Sequence, residues 1–254
     1  MRRRRGVLAG LPIDIALLSD PSELEEARDC HLALALEGAG PGPWRPLGFR
    51  PLPASETACR TVLPAAWPRE PPWIAAGEEP EAGIPGLRPF LPTDLDAVAV
   101  IHAQDVQGQV LRLERDRHDW ERILEEFRPP AVPGEERATF WVIERQGRID
   151  GYAVLQAGSP TLRWREHGAR RDAEGAAVDL FWGALAWARR RSIARIEGWW
   201  MPGALTLGPI YPASDRRRKD KVPVVLPLVR DLPLLDFARE EDCRIGELDV
   251  LGDQ

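Results

Sequence analysis

Cysteine is scarce in this 254-residue chain, and its distribution excludes a disulfide framework. The three cysteines, Cys30, Cys59 and Cys243, are odd in number and widely spaced, and no CxxC pair occurs. Such usage is typical of a protein in a reducing compartment. Cys30 precedes His31, but no second pair of ligand residues stands at metal-binding spacing, so we predict no metal site.

Long apolar runs and an excess of positive charge are also lacking. No apolar stretch approaches the roughly 18 residues of a membrane-spanning helix, and too few apolar residues follow the N-terminal arginines to make a signal peptide. We therefore expect a cytoplasmic protein with no membrane partner. The net charge of −6 and the pI near 5.4 argue against a nucleic-acid partner, because binders of phosphate backbones usually carry a basic balance.

The chain is long enough for two ordinary domains, and 44% of its residues are apolar, which is enough to form their cores. The segment Pro64–Gly86 is rich in proline, glycine, alanine and glutamate, which is typical of a linker. We therefore predict a partial unit over residues 1–63, a linker over 64–86, a second unit over 87–230 and an acidic tail over 231–254. In the first unit the patterns predict a strand over Ile13–Leu18, a helix over Ser22–Leu36 and a strand over Ser55–Leu63.

The second unit alternates helix and strand signals. The hydrophobic periods and the Gln146-Gly147 turn predict two early helices, a hairpin, a third strand, a long helix and two further strands. The predicted bounds are Leu87–Phe90 (strand), Thr93–Gln104 and Asp116–Phe127 (helices), Ala138–Ile143, Ile149–Gln156 and Leu162–His167 (strands), Ala173–Arg191 (helix), Ile193–Trp200 and Val222–Leu228 (strands). This order predicts an α/β fold, a mixed sheet flanked by helices.

Four segments resemble parts of the GNAT superfamily of N-acetyltransferases. The opening LRPFLPTDLDAVAVIHAQ and the hairpin FWVIERQGRIDGYAVLQ resemble the start and the hairpin of such a domain. PLGFRPLP at Pro46–Pro53 resembles the segment that closes another copy, and DIALLSD resembles the strand before it. The resemblance implies a tandem architecture with a truncated first copy and a near-complete but degenerate second copy.

The resemblance also implies a coenzyme motif at Arg3, Arg4, Arg5 and Gly6. In that motif, backbone N–H groups of a glycine turn before a helix point at pyrophosphate oxygens, and arginine adds charge. These four residues are the predicted cofactor-binding site, with acetyl-CoA as cosubstrate. The alternative is a solvated basic tail, because Gly10 and Pro12 leave no room for a helix before the next strand.

A catalytic residue is not assigned. The family's general acid is a tyrosine just before the segment that PLGF resembles, and the matching residue here is Trp44. Indole cannot supply a proton at neutral pH.

The corresponding loop of the second unit, Arg165–Arg170, matches half of the coenzyme motif. Asp172 and Glu174 follow, and carboxylates at a helix N-terminus satisfy its dipole and repel phosphate. We therefore expect Arg3–Gly6 to matter more for coenzyme binding than Arg165–Arg170.

The leading function is an acyl-CoA-dependent transfer to a primary amine, with activity impaired in this chain. The alternative is a non-catalytic scaffold or binding protein that retains the fold. A GNAT unit needs helices and strands ahead of its coenzyme loop, so the position of RRRG at the start predicts that the chain is a fragment. The partial unit would rely on the second unit or on another copy of the chain, because exposed strand edges invite pairing.

Overall fold

The computed structural model describes residues 1–38, 42–52, 59–63, 84–107, 111–125, 137–158, 160–173, 175–198, 213–216, 222–229, 232 and 243–244. Most of the predicted linker and tail therefore lie outside the described residues. The chain forms two compact units. Unit 1 contains residues 1–58, 106–116 and 216–254, and unit 2 contains residues 59–105 and 117–215.

Fourteen strands and three α-helices lie within the described segments. The strands are β1 (Arg2–Leu8), β2 (Leu11–Leu18), β3 (Leu32–Glu37), β4 (Arg50–Pro51), β5 (Cys59–Val62), β6 (Leu87–Pro89), β7 (Leu111–Leu113), β8 (Arg137–Arg145), β9 (Arg148–Gly158), β10 (Thr161–Ala169), β11 (Arg195–Gly198), β12 (Ala213–Arg216), β13 (Val222–Pro227) and β14 (Cys243–Arg244). The helices are α1 (Leu95–Asp105), α2 (Arg117–Glu125) and α3 (Ala176–Arg190).

Unit 1 is built on a sheet of order β14-β7-β1-β2-β3-β13-β4. The β1–β2 hairpin is antiparallel, β3 runs parallel to β2, and β13 runs antiparallel to β3. A 3-10 helix, Pro21–Ala27, connects β2 to β3. Small apolar residues of β2 and β3 pack with Trp44 and Phe49 in a buried cluster.

Unit 2 repeats this pattern at larger size, in the order β12-β5-β11-β10-β9-β8-β6. The β9–β10 pair is antiparallel, β11 runs parallel to β10, and β5 runs antiparallel to β11. The connection from β10 to β11 is the α-helix α3, whose apolar face covers Trp141, Trp164 and Ile196 on the sheet.

Each sheet includes a strand from a distant part of the chain. Strand β5 precedes the rest of unit 2 and completes its sheet, whereas β13 follows unit 2 and belongs to unit 1. The two units are therefore interleaved along the chain, not consecutive as the sequence predicted. Both sheets contain the same succession of hairpin, parallel strand and antiparallel strand.

The predicted helix over Ser22–Leu36 is wrong. The chain forms a 3-10 helix that ends at Ala27 and then β3, which lies inside the sheet beside β2 and β13. A strand buried between neighbours is apolar on both faces, so its sequence LALAL fits helical and strand periods equally well. The hairpin, the 117–125 helix and the long helix of unit 2 match their predicted positions within a few residues.

The first helix of unit 2 begins at a partly buried ion pair. Arg88 Nη1 and Nη2 donate to Asp94 at 2.7 and 2.9 Å, and the Leu91 N–H donates to Asp94 Oδ2 at 2.8 Å. The Arg88 guanidinium lowers the pKa of the Asp94 carboxyl. Because the folded-state pKa is depressed, the stabilisation is present above the unfolded pKa of about 3.9 and is lost as the pH falls through the lower folded value.

We expect Asp94→Asn to lower the free energy of unfolding by about 2 kcal/mol at pH 7, between the values for exposed and buried pairs. The difference from wild type should shrink as the pH falls below about 4. Urea unfolding at pH 7 and at pH 3 checks this, with the exposed Asp96→Asn as control. An unchanged difference at both pH values would contradict the ion-pair explanation.

Candidate functional site

The predicted site residues Arg3–Gly6 lie in the interior of a strand. Gly6 is paired with Ile13 of β2 on one side and with Leu113 of β7 on the other. The expected turn before a helix is therefore absent, and that part of the prediction is wrong. The cause is a hairpin whose turn lies at Ala9 and Gly10, both at positive φ, which places Arg2–Leu8 in the extended arm.

The side chains of Arg3, Arg4 and Arg5 differ in their exposure and in their hydrogen-bond partners. Arg3 is exposed and donates to Asp29 Oδ2 at 2.9 Å, whereas Arg4 is buried and donates to the Glu114 carbonyl at 2.8 Å. Arg5 is exposed. Alternation along a strand thus separates Arg4 from the other two. Coenzyme binding by these residues stays a prediction.

In unit 1, the backbone N–H groups of the connection after β2 donate to carboxylates. The Ser22 N–H donates to Asp20 Oδ1 at 2.8 Å, and the Ser19 N–H donates to Glu23 Oε2 at 2.7 Å. Glu23 also pairs with the N-terminal ammonium of Met1. Acidic side chains already occupy the N–H groups at the start of this short helix, where a phosphate would bind.

Trp44 is part of the unit 1 core. Its side chain is buried, and its ring lies 5.2 Å from that of Phe49. The PLGF segment folds into a 3-10 turn closed by Gly48 at φ +93°. The residue at the position of the family's general acid therefore packs in a core.

The equivalent connection in unit 2 is an open strand–loop–helix. Arg165–Gly168 lie in β10, so the loop is 170–175, followed by the 15 residues of α3. The N-cap of α3 is Gly175, at φ +83°, and within the described part of the chain no side chain caps the helix. The Ala176 N–H donates to the Ala173 carbonyl at 3.3 Å. This N-terminus still presents the positive end of the helix dipole, which is suited to an anion.

The carboxylates near this helix are occupied by arginines. Arg148 Nη1 donates to Asp172 at 2.8 Å and lowers the pKa of that carboxyl, while Asp179 pairs with Arg145. Glu174 lies outside the described residues. The expected repulsion of phosphate by Asp172 is therefore reduced by its arginine partner.

A buried polar cluster includes a residue of β10, the strand that leads into this connection, and sequence reasoning missed it. The His–Tyr–Glu cluster consists of His102 on α1, Tyr152 on β9 and Glu166 on β10. The Tyr152 hydroxyl donates to Glu166 Oε1 at 2.7 Å, and His102 Nδ1 lies 3.2 Å from the same hydroxyl oxygen. Exposed fractions are 7% for His102, 0% for Tyr152 and 5% for Glu166, so all three groups are shielded from solvent.

A β-bulge in β10 brings Glu166 into the cluster. Trp164 pairs with Leu155, but Glu166 pairs with Val154, so one extra residue stands on β10 between them. In a regular strand, Trp164 and Glu166 would share a face. The bulge turns Glu166 to the opposite face, where Tyr152 reaches it.

Gly168 makes room for the tyrosine ring of the cluster. A Cβ at this position would lie 2.6 Å from Tyr152 Cε1 and 3.2 Å from Ile101 Cγ2. Gly168, which belongs to the half-match to the coenzyme motif, therefore provides the space into which the Tyr152 ring packs.

Among the described residues, no group of three potential ligands is suited to a metal ion. The helices in those same segments are all too short or too polar to cross a bilayer.

The fold is shared with known acyltransferase structures. Those similar to this chain include a conserved Enterococcus faecalis protein described as a probable N-acyltransferase (TM-score 0.59, 13% identity, 89% of this chain and 57% of that chain). A GCN5-related N-acetyltransferase from Anabaena variabilis (0.58, 15%, 89% and 58%) and Saccharomyces cerevisiae N-myristoyltransferase with bound myristoyl-CoA and inhibitors (0.53, 10%, 88% and 62%) are also similar. No protein-family model and no curated protein sequence matches the chain.

The chain therefore has the mixed α/β fold of the GCN5-related N-acetyltransferases. It spans less than two thirds of the length of each of these three structures.

Proposed function

We propose that this protein transfers an acyl group from a coenzyme A thioester to a primary amine, and that unit 2 carries the site. The proposal rests on the observation that β10 both leads into the N-terminus of α3 and carries Glu166. The bulge on the same strand turns Glu166 toward Tyr152. Acetyl-CoA is the expected donor, and the fold shared with acyltransferases supports a thioester of this class.

The α3 N-terminus would hold the pyrophosphate of the coenzyme. The positive end of its dipole favours negative charge, and Arg170 and Arg171 precede it in the loop. The guanidinium of Arg170 donates to the Ile149 carbonyl at 2.8 Å, which fixes the loop to the start of β9. A fixed loop keeps the helix N-terminus at a constant position for the ligand.

Glu166 would take up the proton that the acceptor must lose. A primary amine is an ammonium ion at neutral pH, and its nitrogen attacks the thioester carbonyl only after deprotonation. The C–N bond then forms and the C–S bond breaks, and the thiolate leaves. The nitrogen loses a second proton as the amide forms, so one of the two protons goes to the leaving sulfur and the other is released to solvent, and Glu166 ends as the carboxylate with which it began.

Unit 1 would be structural in this proposal. Its β2–β3 connection has a short helix capped by Asp20 and Glu23, and Trp44 lies in its core. The competing prediction, that Arg3–Gly6 bind acetyl-CoA, places the coenzyme in unit 1. A third possibility is a scaffold that binds no coenzyme.

The location is tested by Ala177→Glu in the first turn of α3. A carboxylate there stabilises the helix through its dipole but repels a phosphate, whereas the matched Ala177→Gln adds the same bulk without charge. We expect the Kd for acetyl-CoA in calorimetry to rise at least about tenfold in Ala177→Glu, a change of about 1.4 kcal/mol, and to stay near wild type in Ala177→Gln.

The control for unit 1 is Arg3→Ala, which removes an exposed arginine. It is preferable to a Gly6 substitution, because a Cβ at Gly6 would lie 2.7 Å from the Arg112 carbonyl oxygen and would disturb the sheet itself. Weaker binding in Arg3→Ala with unchanged binding in Ala177→Glu would move the coenzyme to unit 1. No binding of acetyl-CoA at millimolar concentration would refute the proposed function and favour the scaffold.

A further inference from the structure

The hydrogen bonds of the His–Tyr–Glu cluster have one consistent direction while Glu166 is ionised. An ionised carboxylate only accepts hydrogen bonds, so the contact of 2.7 Å between the Tyr152 hydroxyl and Glu166 Oε1 uses the single hydroxyl hydrogen. His102 Nδ1 lies 3.2 Å from the same hydroxyl oxygen and is then the donor to it. The chain of hydrogen bonds therefore runs from His102 through Tyr152 to Glu166.

The surroundings of this chain make its last hydrogen bond important for the charge of Glu166. The Trp120 ring meets the His102 ring edge-on, with 5.5 Å between centroids, and the Phe140 ring lies 5.7 Å from that of Tyr152. All three members of the cluster are buried. Burial disfavours the ionised form of a carboxyl group, whereas a hydrogen bond donated to the carboxylate favours it. In a low-dielectric setting, each bond of such a chain strengthens the next.

Other charged or titratable side chains adjoin the cluster along the elements that carry it. They are Asp105, one turn from His102 on α1, Asp119, next to Trp120 on α2, and Arg165 and His167, which flank Glu166 on β10. On the elements packed against β10, the carboxylates of Asp150, Asp179 and Glu197 pair with Arg148, Arg145 and Arg195. Because Tyr152→Phe changes none of these groups, a change in the titration of Glu166 in that variant comes from the lost hydrogen bond.

On the basis of the proposed acyl transfer, we infer that Tyr152 and His102 are positioning residues that keep Glu166 ionised and oriented to take the proton of the acceptor. Tyr152 donates to Oε1, which stabilises the carboxylate and holds it in one orientation. His102 donates from Nδ1 to the Tyr152 oxygen, which fixes the direction of the hydroxyl hydrogen. No proton moves along the chain: Oε2 holds the proton taken from the ammonium, while Oε1 still accepts from Tyr152.

The position of the hydrogen on His102 tests the direction of the chain without any turnover. Two-bond ¹H–¹⁵N NMR spectra at about pH 9, well above the ordinary histidine pKa of about 6.5, distinguish a hydrogen on Nδ1 from one on Nε2. The His102 signals are assigned by their loss in His102→Asn. We expect a hydrogen on Nδ1. A neutral ring with its hydrogen on Nε2 would make Nδ1 the acceptor of the Tyr152 hydrogen and would overturn the inference.

Tyr152→Phe tests whether the chain keeps Glu166 ionised. The ring stays, but the carboxylate loses a donor, and a hydrogen bond to the charged form lowers the pKa of a carboxyl group. We therefore expect the Glu166 carboxyl carbon, followed by ¹³C NMR and assigned by its loss in Glu166→Gln, to titrate about 1 unit higher in Tyr152→Phe than in wild type. An unchanged Glu166 titration would overturn the inference.

The pH dependence of turnover connects this shift to the reaction. Free thiol released from acetyl-CoA with butylamine as the acceptor is measured from about pH 5 to 9. The acid limb of kcat/KM is expected to move to higher pH by about 1 unit in Tyr152→Phe, with the Kd for acetyl-CoA unchanged. A rate that falls equally at every pH, with the limb at its wild-type position, would show a merely structural role and overturn the inference.

A matched pair of variants isolates the hydrogen that His102 donates. His102→Asn and His102→Leu both remove the titrating imidazole and have side chains of similar size, but only the asparagine amide places an N–H near the position of Nδ1. Because a donor to the Tyr152 oxygen strengthens the next bond of the chain, Glu166 should titrate a few tenths of a unit higher in His102→Leu than in His102→Asn. Equal titration in the two variants would exclude the role of His102.

These measurements separate the inference from the proposed function. Calorimetry with wild type decides whether acetyl-CoA binds at all, and failure to bind at millimolar concentration would refute the proposed function. Intact binding in wild type together with an unmoved Glu166 titration in Tyr152→Phe would refute this inference alone.

Discussion

Replacing Glu166 with glutamine is expected to lower kcat for acyl transfer by about 10² to 10⁴-fold, the usual contribution of a positioned base. The side chain keeps its size and its place on the bulge, and its amide oxygen can still accept from Tyr152. Only the ability to take up a proton is lost. The measurement is thiol release from acetyl-CoA at saturating donor and acceptor.

Glu144→Gln is the control for this prediction. Glu144 also lies on a strand of the unit 2 sheet, but its carboxylate pairs with Arg88 outside the His–Tyr–Glu cluster. We expect its turnover to remain near wild type. A Glu166→Gln enzyme that retains full turnover would exclude Glu166 as the proton acceptor, even if acetyl-CoA binds.

The largest effect on stability is expected at Gly86. Its φ is +82°, and a Cβ would lie 2.1 Å from the Glu144 carbonyl oxygen, a backbone atom that cannot move aside without distorting β8. The Glu144 N–H also donates to the Gly86 carbonyl at 2.8 Å, so the two backbones are held together. Gly86→Ala should therefore lower the free energy of unfolding by about 3 kcal/mol or more, from strain and overpacking together.

Gly147→Ala separates the two contributions. Gly147 has a similar φ, +74°, but nothing lies within 4 Å of the Cβ position. Gly147→Ala should lower the free energy of unfolding by about 1 to 2 kcal/mol, because only the left-handed conformation disfavours the alanine. Urea unfolding of both variants gives the comparison, and equal losses would show that the close approach to Glu144 is unimportant.

Burial of the His–Tyr–Glu cluster costs free energy of folding, and contacts of the cluster itself offset part of that cost. Three polar groups are buried in one cluster, and an unpaired polar group in that position would destabilise unit 2. Hydrogen bonding between Tyr152 and Glu166 offsets the cost, and Gly168 leaves the space for the ring. The Tyr152 hydroxyl that donates to Glu166 also lies 3.2 Å from His102 Nδ1.

The amino-acid sequence by itself determined the local elements of unit 2. The hairpin is specified by Gln146 and Gly147, which both adopt positive φ, and the long helix by apolar residues at helical spacing. Local turn chemistry and periodicity act over a few residues, so they can be recognised in a single sequence. The α/β class and the resemblance to N-acetyltransferases followed from that order of elements.

Only the tertiary structure decided where the chemistry lies. Arg3–Gly6 resemble a coenzyme turn over four residues, but pairing with β2 and β7 holds them in a strand. Strand β5 pairs in the unit 2 sheet and β13 in the unit 1 sheet, and both pairings depend on contacts between residues far apart in the chain. The His–Tyr–Glu cluster depends on a single extra residue in β10, which reverses the face of Glu166 and leaves no local signal in the sequence.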